Sequence, residues 1–371
     1  MKKLLINSYY FYPDNTPRAF RTTELAKELI KQGYDVTIAL PNRYSKYKNE
    51  IEKEIKSNNL IFCGKDITKL KNNSFNQNKK LRKFVSNIIK YFLSDKNIKY
   101  FYTNYSALSQ NNDSFDWIIS IGLPFYIHIG SYLFAKKNSI KMIADYGDPF
   151  SSNPAFKIAP YFKLIEKHIL KHVEFITIPT KNSIKYYEKL NCNTNKIKII
   201  PQGFDIDSIE VANYEKNKIC TFAYAGLFYE KIRNPKKLFL ALEKIQSNFK
   251  FIIYTDLSNT ETVNCLREIP NSIKDKFVIN DLLPRKTCIY ELSKMDFLIN
   301  LENQNSGQLP SKLIDYGIAG RPILNTKLDI EYEILEQFIN GNYDEKLILD
   351  ISIFDIKNVV NQFETIILGE N

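Results

Sequence analysis

The sequence lacks the patterns that identify several common classes of protein. No run of about 18 apolar residues is present, so no transmembrane helix is expected. Only three histidines and five cysteines occur among the 371 residues. The cysteines are scattered, odd in number and never at the spacing of metal ligands, so we expect reduced thiols in a cytoplasmic protein and no metal. The opening residues, MKKLLIN, predict a buried strand rather than a signal peptide.

Negative charge is scarce in the first half of the chain. Residues 1–200 carry 33 Lys and Arg against 16 Asp and Glu, a net charge of +17, whereas the remainder has 19 against 25, a net charge of −6. A lysine-rich codon bias contributes to the total but does not explain why the two halves differ in sign. The asymmetry predicts an anionic partner for the first half.

Short apolar runs alternate with helical patterns along the whole chain. The run from Lys3 to Ser8 predicts a strand, a helix begins at Thr16 or Pro17, and a second strand follows Gly33. This βαβ unit predicts a parallel sheet. The glycine-rich pattern GxGxxG is missing from its first turn, which counts against an NAD enzyme. A second α/β series starts at Cys220, so we predict two α/β domains, residues 1–201 and 202–352, with a final helix in 353–371.

An amphipathic helix with a cationic face is predicted from Lys79 to Leu93. On a bilayer surface its aromatic and aliphatic side chains insert while its lysines meet anionic lipid. The alternative is a helix that packs on the core and exposes its lysines to solvent. No recognition helix, zinc pattern or base-stacking pattern accompanies the charge, so nucleic acid is not the expected partner. We therefore expect a protein peripheral to the inner face of the cytoplasmic membrane.

The stretch from Asn305 to Leu324, NSGQLPSKLIDYGIAGRPIL, has the clearest binding pattern. A polar turn leads into Pro310 and Ser311, which suit the first turn of a helix. With Lys312 in that turn, the free N–H groups of the helix N-terminus form an anion site. Asp315 follows one turn later, where its carboxylate can accept hydrogen bonds from ribose hydroxyls. The pattern suits a nucleoside diphosphate; the alternative is an ordinary capped helix.

This stretch and four other segments resemble the bacterial family 4 glycosyltransferases. PSKLIDY and GRPIL are similar to the family's PSKL-E-Y…GRPIL signature, and the other segments agree in order and spacing. They are PRAFR…GYDVT from Pro17, the order S-x-x-x-P-x-x-x-H…D-x-x-D-P from Ser120, PQGFD from Pro201, and Gly226 followed by RNP at 233–235. The resemblance implies a GT-B fold, in which two Rossmann-like domains with parallel sheets face an interdomain cleft and the last helix crosses back to the first domain.

The resemblance also implies an activity. Family members are retaining enzymes that move a sugar from a nucleotide-sugar to an acceptor, here a glycan or lipid-linked glycan of bacterial capsule or lipopolysaccharide synthesis. No cofactor or metal is expected, because the helix dipole and nearby cations neutralise the leaving diphosphate. A nucleotide-sugar epimerase on the same fold and an inactive scaffold of a polysaccharide assembly are the alternatives.

Three groups of site residues follow from the resemblance. The catalytic candidates are His128 and Asp148. The donor-binding candidates are Gly226, Lys231, Arg233, Gly307, Leu309, Pro310, Ser311, Lys312 and Asp315. The acceptor-binding candidates are Thr16, Arg18 and Arg21. Arg233 is preferred to Lys231 because a guanidinium binds phosphate through two parallel hydrogen bonds.

Each group has a structural alternative, and one position departs from the family. His128 is otherwise a structural histidine, Asp148 a cap of the following turn, and Arg18 and Arg21 a solvated helix face. Many family members carry two glutamates, of which the second corresponds to the shorter Asp315 and the first to a glycine, Gly307. This departure leaves the donor sugar open and is the best argument for an inactive scaffold.

Overall fold

A computed structural model describes residues 2–64, 87–88, 91–93, 98–153, 156–302, 311–326 and 330–369. The chain divides into two compact units. The first comprises Met1–Phe204 together with Ile353–Asn371, and the second comprises Asp205–Ser352. The division after Phe204 lies close to the predicted domain boundary at residue 201, and the last helix groups with the first unit. Among the residues described, no helix is long and apolar enough to cross a membrane.

The first unit contains a parallel sheet of seven strands in the order β3-β2-β1-β4-β5-β6-β7. The strands are β1 (Lys3–Ser8), β2 (Asp35–Pro41), β3 (Leu60–Cys63), β4 (Trp117–Ile121), β5 (Lys141–Asp145), β6 (Phe175–Ile178) and β7 (Ile197–Ile199). They read as apolar runs because helices cover both faces of the sheet.

The second unit contains a parallel sheet of five strands in the order β10-β9-β8-β11-β12. The strands are β8 (Cys220–Ala225), β9 (Phe249–Tyr254), β10 (Phe277–Asn280), β11 (Phe297–Leu301) and β12 (Ile323–Thr326). The chain order changes direction between β8 and β11. In open sheets of this kind, ligands bind at the carboxyl ends of the strands where the order reverses.

The α-helices with described bounds follow the predicted alternation with the strands. They are α1 (Pro17–Lys31), α2 (Lys48–Ile55), α3 (Tyr100–Gln110), α4 (Tyr126–Asn138), α5 (Tyr161–His172), α6 (Ile184–Glu188), α7 (Lys236–Glu243), α8 (Thr260–Leu266), α9 (Arg285–Ser293), α10 (Ser311–Ala319), α11 (Tyr332–Ile339) and α12 (Ile356–Leu368). Most of the predicted amphipathic helix from Lys79 to Leu93 lies outside the described residues; positions 87–88 and 91–93 are helical.

Two helical layers sandwich the sheet of the first unit. Helices α1, α2 and α12 share one core with alternate strand residues such as Leu4 and Ile6. Helices α3, α4 and α5 share the other core with residues of the opposite strand face, such as Leu5. Helix α12 joins this unit because its apolar stripe, including Phe363, is completely buried there. Backbone hydrogen bonds of 2.8 and 2.9 Å join Phe204 to Phe354 and Ile356, where α12 begins.

Candidate functional site

The loop after β8 forms a tight turn that carries a basic side chain. Gly226 has φ +134°, a conformation that favours glycine. Two backbone hydrogen bonds, of 3.0 and 3.2 Å, join Tyr229 to Arg233 and close a short hairpin. The guanidinium of Arg233 donates to the Leu227 carbonyl (3.3 Å), and a Cβ atom on Gly226 would lie 3.9 Å from its Nη1 atom. The glycine therefore leaves space beside the guanidinium.

Lys312 places a second cation at the same strand end. It lies in the first turn of α10, with Nζ 4.4 Å from the centre of the Tyr224 ring. Part of the residue is exposed, but the Nζ atom is buried and has no hydrogen-bond partner among the residues described. Burial, together with the positive charge of Arg233, holds the pKa of Lys312 well below its usual value. Lys312 and Arg233 thus place two basic side chains beside each other, and a bound anion would offset the cost of burying the lysine charge.

Helix α10 is fixed against β8 by its next turn. The Tyr316 hydroxyl accepts a hydrogen bond of 2.8 Å from the backbone N–H of Ala225. The neighbouring carboxylate, Asp315, accepts two hydrogen bonds from Arg285 at the start of α9. Burial raises the pKa of Asp315, while the charge and the hydrogen bonds of Arg285 oppose the shift. Asp315 thus lies one turn after Lys312 on the same helix and is held by Arg285.

The remaining donor-binding candidates differ in how far the structure describes them. Lys231 is exposed on the hairpin between Tyr229 and Arg233. Ser311 is the first residue of α10, at the helix start that the sequence predicted. Three candidates lie outside the described residues: Gly307, Leu309 and Pro310. The second unit therefore brings together Gly226, Arg233, Lys312 and Asp315.

His128 occupies an enclosed position in the first unit. Its ring is fully buried at the start of α4, with Nδ1 2.8 Å from the Ser120 hydroxyl and the ring centre 4.4 Å from that of Tyr146. A Cβ atom on Gly122 would overlap Nε2, which has no partner among the described residues. Burial lowers the pKa of His128 to about 3. The imidazole is therefore neutral near pH 7, and it exchanges hydrogen bonds without adding charge.

Arg18 and Asp148 lie near one another in the first unit. An Nη2 atom of Arg18 is 3.8 Å from Oδ2 of Asp148, whose side chain is 41% exposed. The guanidinium occupies the space above Gly147, because a Cβ atom there would coincide with Nη2 at 0.7 Å. Burial lowers the pKa of Arg18, whereas the charge of Asp145 raises it. Glycine at position 147 is thus what allows this cation to sit beside the loop after β5.

Arg21 and Thr16 differ from their predicted roles. Arg21 is 4% exposed, and its Nε and Nη2 atoms donate to the two carboxylate oxygens of Asp145 at 2.7 and 2.6 Å. Its Nη1 atom donates to the Pro201 carbonyl at 2.6 Å. The prediction of an acceptor-binding cation is corrected, because Arg21 is buried and joins α1 to β5 and to the chain segment that follows β7. Thr16 accepts the backbone N–H of Ala19 at 3.2 Å and caps α1.

Sequence reasoning missed two polar residues, Glu166 and Arg285. Glu166 is fully buried on α5, accepts the Ser151 N–H at 2.9 Å, and has its pKa raised by burial. Arg285 was also missed, although it holds Asp315. Neither residue belongs to a motif. The partner of Glu166 is Ser151, 15 residues earlier, and the partner of Arg285 is Asp315 on another helix. For Glu166 the sequence offered one signal, which is the position of this acidic residue within the apolar stripe of α5.

Comparisons with known proteins identify the fold. No protein-family model matches the chain, and no curated protein matches its sequence. The crystal structure of Anabaena HepE in complex with UDP matches with a TM-score of 0.62 at 10% identity, over 100% of both chains. A glycosyltransferase from Rickettsia africae matches with a TM-score of 0.60 at 14% identity, over 100% of this chain and 99% of the other.

A third structure extends the comparison. The apo form of the lipopolysaccharide outer core galactosyltransferase WaaB matches with a TM-score of 0.59 at 13% identity, over 100% of both chains. These structures are glycosyltransferases of the GT-B fold. The present chain has that α/β fold, with two sheets of parallel strands, and the predicted fold class is confirmed. At these identities the similarity defines the fold alone.

Proposed function

We propose that the protein is a retaining glycosyltransferase similar to family 4. It moves a sugar from a nucleotide-sugar to a glycan or lipid-linked glycan in the synthesis of bacterial surface polysaccharide. The observation that carries the proposal is the buried Lys312 amino group, which lacks a hydrogen-bond partner among the described residues and lies near Arg233 at the carboxyl end of β8. A nucleoside diphosphate supplies the anion that such a site requires.

The two cations give the proposed reaction its main electrostatic support. The bond between the sugar's anomeric carbon and the diphosphate breaks, and the acceptor hydroxyl forms the new bond on the same face. Negative charge grows on the departing diphosphate, which Lys312 and Arg233 stabilise. The acceptor proton passes to the leaving phosphate. For the first unit, we propose from the resemblance to family 4 that His128 and Asp148 serve the transfer step.

Thermal unfolding with a panel of UDP, GDP, ADP, CDP, TDP and their sugar conjugates tests the donor site. A ligand at about 100 times its dissociation constant adds roughly 2.7 kcal/mol of stability. That corresponds to a rise in Tm of about 2–4 °C. We expect one base to give this shift, and Lys312→Met or Arg233→Ala to abolish it. Lys244→Met, at an exposed lysine that caps α7, is the matched control and keeps the shift.

Two results would contradict the donor site. The first is the absence of a shift with every nucleotide, and the second is a shift that survives loss of both cations. The inactive scaffold is the competing proposal, because a glycine replaces the family's first glutamate at position 307. Sugar transfer that disappears in a folded His128→Ala variant excludes the scaffold, whereas nucleotide binding without turnover on any acceptor supports it.

One face of the first unit supports an anionic membrane as a partner. Helices α3, α4 and α5 carry one acidic residue, the buried Glu166. Their outer surfaces carry exposed or partly exposed lysines: Lys136, Lys137, Lys163, Lys167 and Lys171. Large apolar side chains accompany them, including Leu164 (70% exposed) and Tyr102 (64%). Residues 91–93 lie beside the start of α5, because the Tyr91 carbonyl accepts the Ala159 N–H at 2.7 Å.

The opposite face of the same unit has a different character. Helices α1, α2 and α12 carry seven basic and six acidic residues. Several of these are paired, as in Lys27 with Glu54 (2.8 Å) and Lys31 with Glu28 (3.3 Å). A bilayer attracts surfaces that combine unneutralised lysines with exposed apolar groups, at about 1 kcal/mol for each lysine. The α3–α5 face therefore fits the membrane better than the α1–α2–α12 face.

Flotation with vesicles that contain anionic phospholipid tests the membrane partner. We expect binding at low salt, and its loss in the triple variant Lys163→Glu, Lys167→Glu, Lys171→Glu. The control reverses three lysines on the opposite face, Lys27, Lys31 and Lys48, and is expected to bind as the parent does. Failure of the parent protein to float at low salt, or equal loss in both triple variants, would remove the membrane from the proposal.

A further inference from the structure

Arg285 and Asp315 form an ion pair between the starts of α9 and α10, beside the anion site. We infer that Arg285 is a positioning residue, which orients the Asp315 carboxylate to accept hydrogen bonds from the ribose 2′- and 3′-hydroxyls of a nucleoside diphosphate. The inference rests on the proposed function, because it concerns the same donor site. It assigns Arg285 the role of distinguishing ribonucleotides from their 2′-deoxy counterparts.

The geometry of the pair is the first argument. The Nε and Nη2 atoms of Arg285 both donate to Oδ1 of Asp315, at 2.8 and 2.6 Å. Oδ2 accepts no hydrogen bond from any residue that the structure describes. A guanidinium usually pairs with a carboxylate through two parallel hydrogen bonds, one to each oxygen. Here the fork converges on one oxygen, so the carboxylate is held while the other oxygen keeps its capacity to accept.

The Arg21–Asp145 pair of the same chain shows the other arrangement, in which both carboxylate oxygens accept hydrogen bonds. The Nε and Nη2 atoms of Arg21 donate to different oxygens of Asp145, at 2.7 and 2.6 Å. The Thr177 hydroxyl also donates to Asp145, at 2.5 Å. Asp145 is fully buried, and both of its oxygens are occupied, as expected of a carboxylate that holds a fold together. The side chain of Asp315 is 27% exposed, and only one of its oxygens accepts a hydrogen bond from the residues that the structure describes. The two pairs thus separate a structural carboxylate from one that retains binding capacity.

The position of the pair is the second argument. Asp315 follows Lys312 by three residues, so the two side chains lie on the same face of α10. Tyr316 fixes that turn against the end of β8 through the Ala225 N–H. In a nucleotide the ribose adjoins the phosphates, so a carboxylate one turn from a phosphate-binding lysine lies within reach of ribose hydroxyls. Aspartate is one methylene shorter than glutamate, and its smaller reach makes a fixed orientation more important.

Electrostatics gives Arg285 a second effect on the same carboxylate. Burial raises the pKa of Asp315, and the charge and hydrogen bonds of Arg285 oppose that shift. Without Arg285 the carboxyl group takes up a proton at a higher pH than in the parent protein. A protonated carboxyl group is a weaker acceptor than a carboxylate. Loss of Arg285 therefore affects the ribose contact both through orientation and through charge.

The test measures dissociation constants by titration calorimetry for nucleoside diphosphates and their 2′-deoxy forms, beginning with UDP and 2′-deoxy-UDP. A site that hydrogen-bonds a hydroxyl rejects the ligand that lacks it, because a polar group is left without a partner. We expect the parent protein to bind the ribonucleotide about tenfold more tightly than the deoxynucleotide, as the loss of a hydrogen bond to a charged group implies. In Arg285→Gln the ratio is expected to approach one.

The variants separate positioning from a structural role. Arg285→Lys keeps the charge but loses the fork, so it is expected to recover part of the discrimination. Arg267→Gln applies the same change to an exposed arginine after α8, whose nearest partner is Asn264 at 3.2 Å, and serves as the control. Asp315→Asn is expected to lower the ratio as Arg285→Gln does. A thermal unfolding curve for each variant confirms that the second unit is folded.

The outcomes distinguish this inference from the proposed function. An unchanged ratio in Arg285→Gln, or equal weakening of both nucleotides, overturns the positioning role while the donor site stands. Equal affinity of the parent protein for the ribonucleotide and the 2′-deoxynucleotide also overturns the positioning role. If the parent binds no nucleoside diphosphate, the donor site and the positioning role are both wrong.

Discussion

Two buried cations in this protein, Arg21 and Lys312, have opposite environments. Arg21, in the first unit, is surrounded by acceptors: two oxygens of Asp145 and the Pro201 carbonyl lie within 2.7 Å. The Lys312 ammonium, in the second unit, rests on the Tyr224 ring without a hydrogen-bond partner among the described residues. A buried charge needs compensation, and the described residues provide it for Arg21 but not for Lys312. Burial is therefore common to both side chains, and the hydrogen-bond partners among the described residues are what differ.

Removing the paired cation is expected to have the largest effect. Arg21→Ala leaves the Asp145 carboxylate buried without its cation, and loss of one member of a buried pair costs about 3–5 kcal/mol of unfolding free energy. Urea denaturation of the free protein measures it. Lys27→Ala, at a partly exposed ion pair on the same helix, is the control and is expected to cost about 1 kcal/mol or less. A cost for Arg21→Ala as small as that of the control would show that the Arg21–Asp145 pair does not stabilise the fold.

Removing Lys312, which has no hydrogen-bond partner among the described residues, is expected to act in the opposite direction. Lys312→Met replaces a buried ammonium by an apolar side chain of similar length. Replacing buried charge by apolar groups is often neutral or stabilising, by about 1–4 kcal/mol. We expect the free variant to be at least as stable as the parent in urea, yet to lose the nucleotide-induced rise in Tm. Destabilisation by more than about 1 kcal/mol would mean that the fold itself uses the ammonium.

The pH dependence of the unfolding free energy gives a smaller effect that also reports the environment of Lys312. The pKa of Lys312 is lowered in the folded protein. Between that pKa and the ordinary lysine value, the unfolded chain binds more protons, so the free energy of unfolding rises with pH. The rise is at most about 1.4 kcal/mol per pH unit. We expect the difference between parent and Lys312→Met to change in this direction from pH 7 to 9, and a saturating nucleotide to reduce the change.

That pH experiment has a clear contrary result. A parent protein whose stability relative to Lys312→Met falls as pH rises would indicate an ammonium stabilised by an acceptor in the fold. The same measurement on Lys244→Met, which removes an exposed lysine of the second unit, gives the baseline for general charge effects.

Much of the architecture could be predicted from local pattern. Helix α10 begins at Ser311, as the Pro-Ser pair before an apolar stripe predicted, and Lys312 lies in its first turn. The same is true of α1, which Thr16 caps. Apolar runs at strand length predicted the parallel sheets, because strands covered on both faces must be apolar throughout. These features depend on neighbours a few residues away.

Partner choice could not be predicted in the same way. Arg18 and Arg21 looked equivalent on the first helix, yet Arg21 is bound to Asp145, which is 124 residues away. Asp315 was identified as an acid beside the anion site, but no motif indicated Arg285 as its cation. The complete burial of His128 depends on Gly122 and Tyr146, which approach it only in the folded unit.

By itself, the sequence determined the alternation of strands and helices, the helix start that carries Lys312, and the basic character of the first half. Periodicity, capping and composition are local or additive properties, so they can be recognised in the sequence without the folded structure. Only the tertiary structure decided which charges have partners: Arg21 is saturated, Asp315 is held through one oxygen, and the Lys312 ammonium has none among the described residues. The physical reason is that a buried charge is compensated by groups brought together across the fold, which sequence spacing does not specify.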